Sequence, residues 1–360
     1  MRIADSESIE QSIQRGVDWL GQQHEASTDG GWHPPTYGAM RGGASATSLA
    51  LFVASTLPEP HRSLPMWKKG LEFLLRGLSQ RDCIACPDGT LDYPTYSTAL
   101  TLIASRRLGL PIESRVRRKL VEFLIAEQLT EANRAFSSDQ VDYGGWDLLG
   151  GSGAVGFTAG SNISVSSFAV QALAAEEHPK CQATIKRALG WAQRCQNYSP
   201  GDPTKDGGFY FHPEKDALGN KAEWEDDGFK HPRSYGTPTC DGIRLMLAAG
   251  LKSTDGRVSS AIAWLKEQND VKKVPGFEDA SETLDWDEGL KYYFFMGLSQ
   301  LLDLPNQPLE ACRESLGEEI IDLQSSDGSW RNPSDRMRED DPHIATCFSL
   351  IALSNLVKGA

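Results

Sequence analysis

Three acids in four positions, Asp285-Trp286-Asp287-Glu288, stand just before an apolar stretch that runs on through Tyr292 and Tyr293. A carboxylic acid kept neutral by apolar surroundings and a carboxylate neighbour can donate a proton. Aromatic faces beside it would stabilise the cation that results. Asp287, flanked by Asp285 and Glu288, is therefore the candidate acid, and Trp286, Tyr292 and Tyr293 are candidate walls of its site. Three acids at a helix start also suit the positive end of the helix macrodipole, which is a structural role. Acid and aromatic residues meet again at Asp92 before Tyr93 and Tyr96, at Cys240-Asp241 shortly after Tyr235, and at Asp340-Asp341 before His343. Each of these acids also reads as an N-cap or first-turn charge. Only Arg41, Arg233 and Arg244 add positive charge near these starts, so a neutral, apolar ligand fits better than a diphosphate, which would need a divalent metal here.

Other chemistry is sparse. Cys83-Ile84-Ala85-Cys86 is a lone Cys-x-x-Cys with no second pair, so it reads as a loop, with a labile disulfide as the lesser alternative. No phosphate-binding loop, dinucleotide glycine fingerprint or nucleophile elbow is present, and no cofactor is implied. The 360 residues carry 36 basic and 49 acidic side chains, a net charge of −13, which argues against nucleic acid as the main partner. No apolar run reaches the length of a membrane-spanning helix. Met1–Glu10 has no apolar core of the signal-peptide kind, and seven cysteines are too few for a disulfide scaffold, so the expectation is a reduced, cytoplasmic protein.

The elements that must position these residues are repeated. Glycine-centred turns recur at Asp29-Gly30-Gly31-Trp32, Asp88-Gly89, Tyr143-Gly144-Gly145-Trp146, Asp206-Gly207-Gly208-Phe209, Pro275-Gly276-Phe277 and Asp327-Gly328-Ser329-Trp330. The intervals of 59, 55, 63, 69 and 52 residues average close to 60, so six units fill the chain. Before the turns, Arg15–Leu20 matches Lys69–Leu74 position by position, with looser copies at Lys119–Leu124, Arg187–Ala192, Ser260–Leu265 and around Ile320. Apolar spacing such as Ile13, Val17 and Leu20 predicts amphipathic helices. Gln23, Gln268 and Gln324 follow the anchoring position by four residues, one turn on along the same face. After the turns come segments apolar nearly all round, Ala44–Ser55, Thr95–Ala104, Ser164–Ala175, Asp241–Ala249, Leu290–Leu301 and Ile344–Leu353, as expected of helices packed on most sides. Strand-like alternation is absent, so the fold class is all-α.

A unit that cannot cover its own apolar face stacks on neighbours, as a solenoid or a ring. The last apolar helix has no polar cap after it, and closure against the first unit would cover it. The expected architecture is one domain spanning 1–360, a ring of six helix pairs with the apolar helices inside. Ser199–Ser234 is far longer than an ordinary connection and is expected to cover one mouth of the ring, with Ser137–Asn162 flanking the same opening.

The repeat resembles that of the squalene cyclase and protein prenyltransferase superfamily, an aromatic-anchored helix followed by Gln, three residues and Gly-x-Trp. Gln324-Ser325-Ser326-Asp327-Gly328-Ser329-Trp330 fits without a gap. The resemblance implies an α6–α6 toroid whose inner-helix N-terminal ends surround a cavity for isoprenoid chains. The zinc site of the prenyltransferases does not carry over: Glu288 takes the acid position, but Leu290 replaces the cysteine and Ala345 the histidine, with His343 two positions earlier. The proton-donating Asp-x-Asp-Asp of class II terpene cyclases is most nearly matched by Asp285–Glu288. In the same view, Asp92, Tyr93, Tyr96, Tyr235, Cys240, Asp241, Asp341 and His343 line the cavity rim. Three functions follow as expectations: a cyclase-like enzyme for an apolar isoprenoid, a non-catalytic ring that binds a protein or peptide, and a carbohydrate-active enzyme with opposed carboxylates. The glycines and Trp19, Trp191, Trp264 and Trp330 read as turn makers and helix staples.

Overall fold

The computed structural model describes residues 6–78, 82–86, 90, 92–149, 160–214, 219–225, 231–268, 271–278, 284–306 and 309–358. Among them the polar-faced segments form helices α1 (Ser6–Ala26), α3 (Pro65–Arg76), α5 (Ser114–Glu127), α8 (Cys181–Ala192), α10 (Gly256–Glu267) and α13 (Glu310–Asp322). The apolar segments form α2 (Ala44–Ala54), α4 (Pro94–Arg107), α7 (Ile163–Ala174), α9 (Gly236–Ala248), α12 (Lys291–Ser299) and α14 (Pro342–Lys358). Single turns α6 (Glu131–Arg134) and α11 (Trp286–Gly289) lie in connections, and a two-residue antiparallel ladder pairs Trp224 with Pro232 and Glu225 with His231.

The apolar helices pack side by side in the order α2, α4, α7, α9, α12, α14, and α14 returns to pack on α2. The ring closes. Each polar-faced helix lies outside its inner partner, and α1 packs on both α13 and α14 across the seam. All eleven residues of α2 are buried, and several hydroxyls within the inner helices turn back onto their own backbone, as with Thr101 on Ser97 O at 2.7 Å and Ser354 on Leu350 O at 2.6 Å.

One hydrogen-bond set repeats around the ring. At four turns the backbone N–H of the large residue donates to a hydroxyl near the start of the following inner helix: Trp32 to Thr47 at 2.8 Å, Trp146 to Ser166 at 3.1 Å, Phe209 to Thr239 at 3.0 Å and Trp330 to Thr346 at 3.1 Å. In the second unit Ile84 takes this position, donating to Thr98 Oγ1 at 3.1 Å, whereas the Asp88-Gly89 turn lies outside the described residues. The indole N–H groups of Trp32, Trp146 and Trp330 staple the turn to the preceding outer helix through Leu20 O, Leu124 O and Ile320 O at 2.9, 2.7 and 2.7 Å. Trp191 departs from this expectation: it is fully buried, but its indole nitrogen has no partner among the described residues.

A glutamine ties each of three turns to the next outer helix. Gln128 Nε2 donates to Gly144 O and Thr184 O, Gln196 to Gly207 O and Arg257 O, and Gln324 to Gly328 O and Ser12 O, all between 2.8 and 3.0 Å. The last of these crosses from the sixth unit to the first. Gly328 is held at φ +93°, and a Cβ there would lie 2.5 Å from Arg15 O on that same outer helix, so both backbone conformation and space demand glycine.

Candidate functional site

A cavity of about 230 Å³ opens inside the ring at the N-terminal ends of the inner helices. Every inner helix contributes a residue from its first turns: Ser45 from α2, Tyr96 from α4, Ser164 from α7, Asp241 from α9, Tyr293 from α12 and Ile344 from α14. Aromatic and aliphatic side chains dominate the wall, among them Leu49, Leu100, Phe168, Leu290 and Phe348. Further along the inner helices Phe168 meets Phe52 edge-on at 5.7 Å, with Arg244 over the first ring and Arg107 over the second. Both connections singled out in the sequence reach the cavity, Leu148 from one and Phe211 and Lys221 from the other. They are clasped together by Asp142, which accepts from Ser161 N at 2.6 Å and from His212 Nε2 at 3.0 Å.

Among the described residues two carboxyl groups line the cavity. Asp241 is buried, accepts from Arg244 Nη1 at 2.9 Å and from the Tyr293 hydroxyl at 3.0 Å, and burial nevertheless pushes its carboxyl up to about 6. Glu339, 1% exposed, accepts from the backbone N–H groups of Tyr292 and Tyr293 at 2.9 Å each and from Asn332 Nδ2 at 3.0 Å. Burial outweighs these three donors and raises it to about 8. Tyr293 links the pair: its backbone nitrogen holds Glu339 and its phenol holds Asp241. Lys221 also lines the cavity, its Nζ lying 4.8 Å from the centre of the Phe211 ring and 5.1 Å from that of Trp286, and burial lowers it to about 8.

Of the residues marked in the sequence, Tyr93, Tyr96, Tyr235, Asp241 and Tyr293 line the cavity. Tyr93 and Tyr37 are joined through their hydroxyls, Tyr96 donates to Ser164 Oγ at 2.6 Å, and Tyr235 donates to Gly219 O at 2.7 Å. Tyr292, Cys240 and His343 are buried behind the wall, and His343 Nε2 lies 3.0 Å from Ala46 O. Asp92 is bonded to Ser45 and accepts from Cys86 Sγ at 3.2 Å, and burial raises its carboxyl. Asp341 accepts from Thr36 and Tyr37 N and from His343 N at 2.9–3.0 Å, a brace between the sixth and first units.

The acid run itself lies elsewhere. Asp285 pairs with Arg336 at 3.2 Å, Asp287 with Lys273 at 2.9 Å and Glu288 with Lys291 at 2.8 Å. None of the three lines the cavity, and Trp286 lies behind Lys221. Hydrogen bonds from Ser334 and Arg336 hold Asp285 below the usual carboxylate range. The three acids thus each sit beside a cation, Arg336, Lys273 or Lys291, and outside the wall of this cavity. None of the seven cysteines forms a disulfide, and among the described residues no group of three His, Cys, Asp or Glu side chains gathers as a metal-binding set. No helix is long and apolar enough to cross a membrane among the described residues.

The ring geometry recurs in solved structures. An apo variant of the type II terpene cyclase MstE from Scytonema matches with a TM-score of 0.60 over 98% of this chain and 97% of its own, at 15% identity. The chain is an α/α toroid. A second variant of that cyclase, in complex with geranylgeranyl dihydroxybenzoate as substrate, matches at 0.59 with 16% identity over 98% and 97% of the two chains. An inactive α-1,6-mannanase of Salegentibacter in complex with α-1,6-mannotriose matches at 0.57 with 12% identity over 97% and 99%. No protein-family model matches the sequence, and no curated protein matches it. At these identities the toroid shares its fold with enzymes of two unrelated chemistries, so function must be argued from the cavity itself.

Proposed function

We propose that this toroid is a proton-initiated cyclase of an isoprenoid chain. The observation that carries the reading is a pair of buried carboxyls of unequal proton affinity facing one apolar, aromatic-walled cavity. Environments that push two acids apart assign acid and base. Glu339, raised to about 8, keeps its proton at neutral pH and delivers it to a terminal alkene carbon. Its N–H donors from Tyr292, Tyr293 and Asn332 stabilise the carboxylate left behind. The carbocation then migrates along rings that close over the faces of Tyr93, Tyr96, Phe168 and Phe348. Asp241, ionised beside Arg244, accepts the proton lost in the final elimination. The Scytonema cyclase, with its geranylgeranyl substrate, supports this substrate class.

A carbohydrate-active enzyme is the second reading, supported by the mannanase neighbour and by two facing acids. The wall favours the first: Met40, Leu49, Leu100, Leu290, Ile344 and Phe348 offer no hydrogen-bond partners for sugar hydroxyls.

Incubation of the purified protein with geranylgeranyl dihydroxybenzoate and with geranylgeraniol, followed by mass spectrometry, tests the proposal. Cyclic products of unchanged mass are expected, lost in Glu339→Gln and retained in Asp287→Asn, with folding checked by circular dichroism. Full turnover in Glu339→Gln, or its loss in Asp287→Asn alone, would return the acid to the Asp285–Glu288 run.

A further inference from the structure

We infer that Lys221 anchors an acidic head group, so that the ligand is an amphiphile with an isoprenoid-like tail inside the ring and a carboxylate at Lys221. The inference rests on the isoprenoid reading of the cavity and specifies the other end of its occupant.

Lys221 belongs to the long connection between α8 and α9, yet its side chain lines the cavity. The segment around it is pinned by the Tyr235 hydroxyl on Gly219 O at 2.7 Å. Its ammonium lies over two aromatic rings, Phe211 and Trp286, and no carboxylate pairs with it among the described residues. Lysines elsewhere on the rim have such partners: Lys273 has Asp287 and Lys291 has Glu288. The carboxyls that share the cavity are committed to other groups, Asp241 to Arg244 and Tyr293, Glu339 to three N–H donors. Lys221 is half-buried, and aromatic faces compensate an ammonium held against them only in part, so a partly desolvated cation without an anion is costly to keep. An acidic ligand supplies the missing anion.

The field at this end of the ring favours the same occupant, because the inner helices direct the N-terminal ends of their backbones at the cavity. One lysine does not suffice for a diphosphate, which takes several cations or a metal. It matches a single carboxylate. The rest of the wall is mostly aliphatic and aromatic, which orients such a ligand with its acid at the connection and its chain running toward Phe168.

Equilibrium binding of geranylgeranoic acid and of its methyl ester to the full chain, wild type, Lys221→Met and Lys221→Arg, tests this by calorimetry. The acid is expected to bind the wild type about tenfold or more tightly than the ester, as a desolvated charge pair implies. Lys221→Met should bring the acid down to the affinity of the ester, and Lys221→Arg should keep most of the preference. Equal affinities in the wild type, or an acid preference that survives Lys221→Met, would overturn the inference, and cyclisation of the ester would then leave the cyclase proposal standing. An acid preference that depends on Lys221, without cyclised product from either compound, would uphold the anchor and sink the cyclase. Failure of both compounds to bind would overturn the two together.

Discussion

Glu339 and Asp241 set the pH behaviour expected of the site. Glu339 must carry a proton to start the reaction, so activity falls as pH rises through about 8. Asp241 must be ionised to end it, so activity falls as pH drops through about 6. A bell with its maximum between these values is expected from initial rates on geranylgeraniol, and a rate still climbing above pH 9 would remove Glu339 from the role of acid. The linkage to stability has the corresponding sign. Both carboxyls are raised in the folded state, so each contributes stability below its unfolded value that is lost as pH rises through its folded one. Glu339 had no signature in the sequence, because it lies in a polar run between two elements, 46 residues from Tyr293, whose backbone it caps. Asp285, Asp287 and Glu288 were visible as a motif, yet Arg336 and Lys273, far or unremarkable in sequence, decide that two of them sit at the rim as ion-paired anions. Lys221 was hidden among mixed charges, and only the placement of its connection over the ring gives it a cavity to face.

At the scale of elements, Asp142 joins the two long connections to each other. Burial opposes the charge of Asp142, but hydrogen bonds from His212 and Ser161 win and hold its carboxyl down at about 2. A depressed carboxyl contributes stability that is present above its unfolded value and lost as pH falls through its folded one. Asp142→Ala is expected to weaken the clasp by about 1–3 kcal/mol, since it leaves His212 and Ser161 without their acceptor. The readout is limited proteolysis within 137–162 and 199–234, which should quicken by about tenfold for each 1.4 kcal/mol, while far-ultraviolet ellipticity of the helices is unchanged. Unaltered cleavage would show that the connections hold to the ring independently. The helices themselves were legible in the sequence, because glycine spacing and apolar faces are local properties. The second turn was not: Ile84 occupies the place that tryptophan or phenylalanine takes in four other units, and its backbone N–H, common to nearly any residue, makes the bond to Thr98. The tying glutamines were half legible, since Gln128 and Gln196 stand five residues after Phe123 and Trp191, one beyond the four-residue spacing that singles out Gln324.

For the whole molecule the decisive property is that the seam between the sixth and first units is built like the internal joints after the third and fourth units. Gln324 donates to Ser12 O at 3.0 Å just as Gln128 donates to Thr184 O and Gln196 to Arg257 O at 2.9 and 2.8 Å. Asp341 adds a brace from the start of α14 to Thr36 and Tyr37. In an open solenoid the terminal units would fray separately, and a bond between them would contribute nothing to the global transition. In a closed ring each joint resists the same cooperative opening. Gln324→Ala is therefore expected to destabilise the protein by about 1–3 kcal/mol, the cost of stranding two buried carbonyls, and to match Gln196→Ala within experimental error. Gly328→Ala should cost at least as much, because the left-handed backbone alone costs about 1–2 kcal/mol and its Cβ would press on Arg15 O of the first helix. Urea unfolding followed by tryptophan fluorescence gives all three values. If Gln196→Ala lowers the midpoint while Gln324→Ala and Gly328→Ala leave it in place, the first and last units do not meet in solution, and the cavity that depends on their meeting is lost with them.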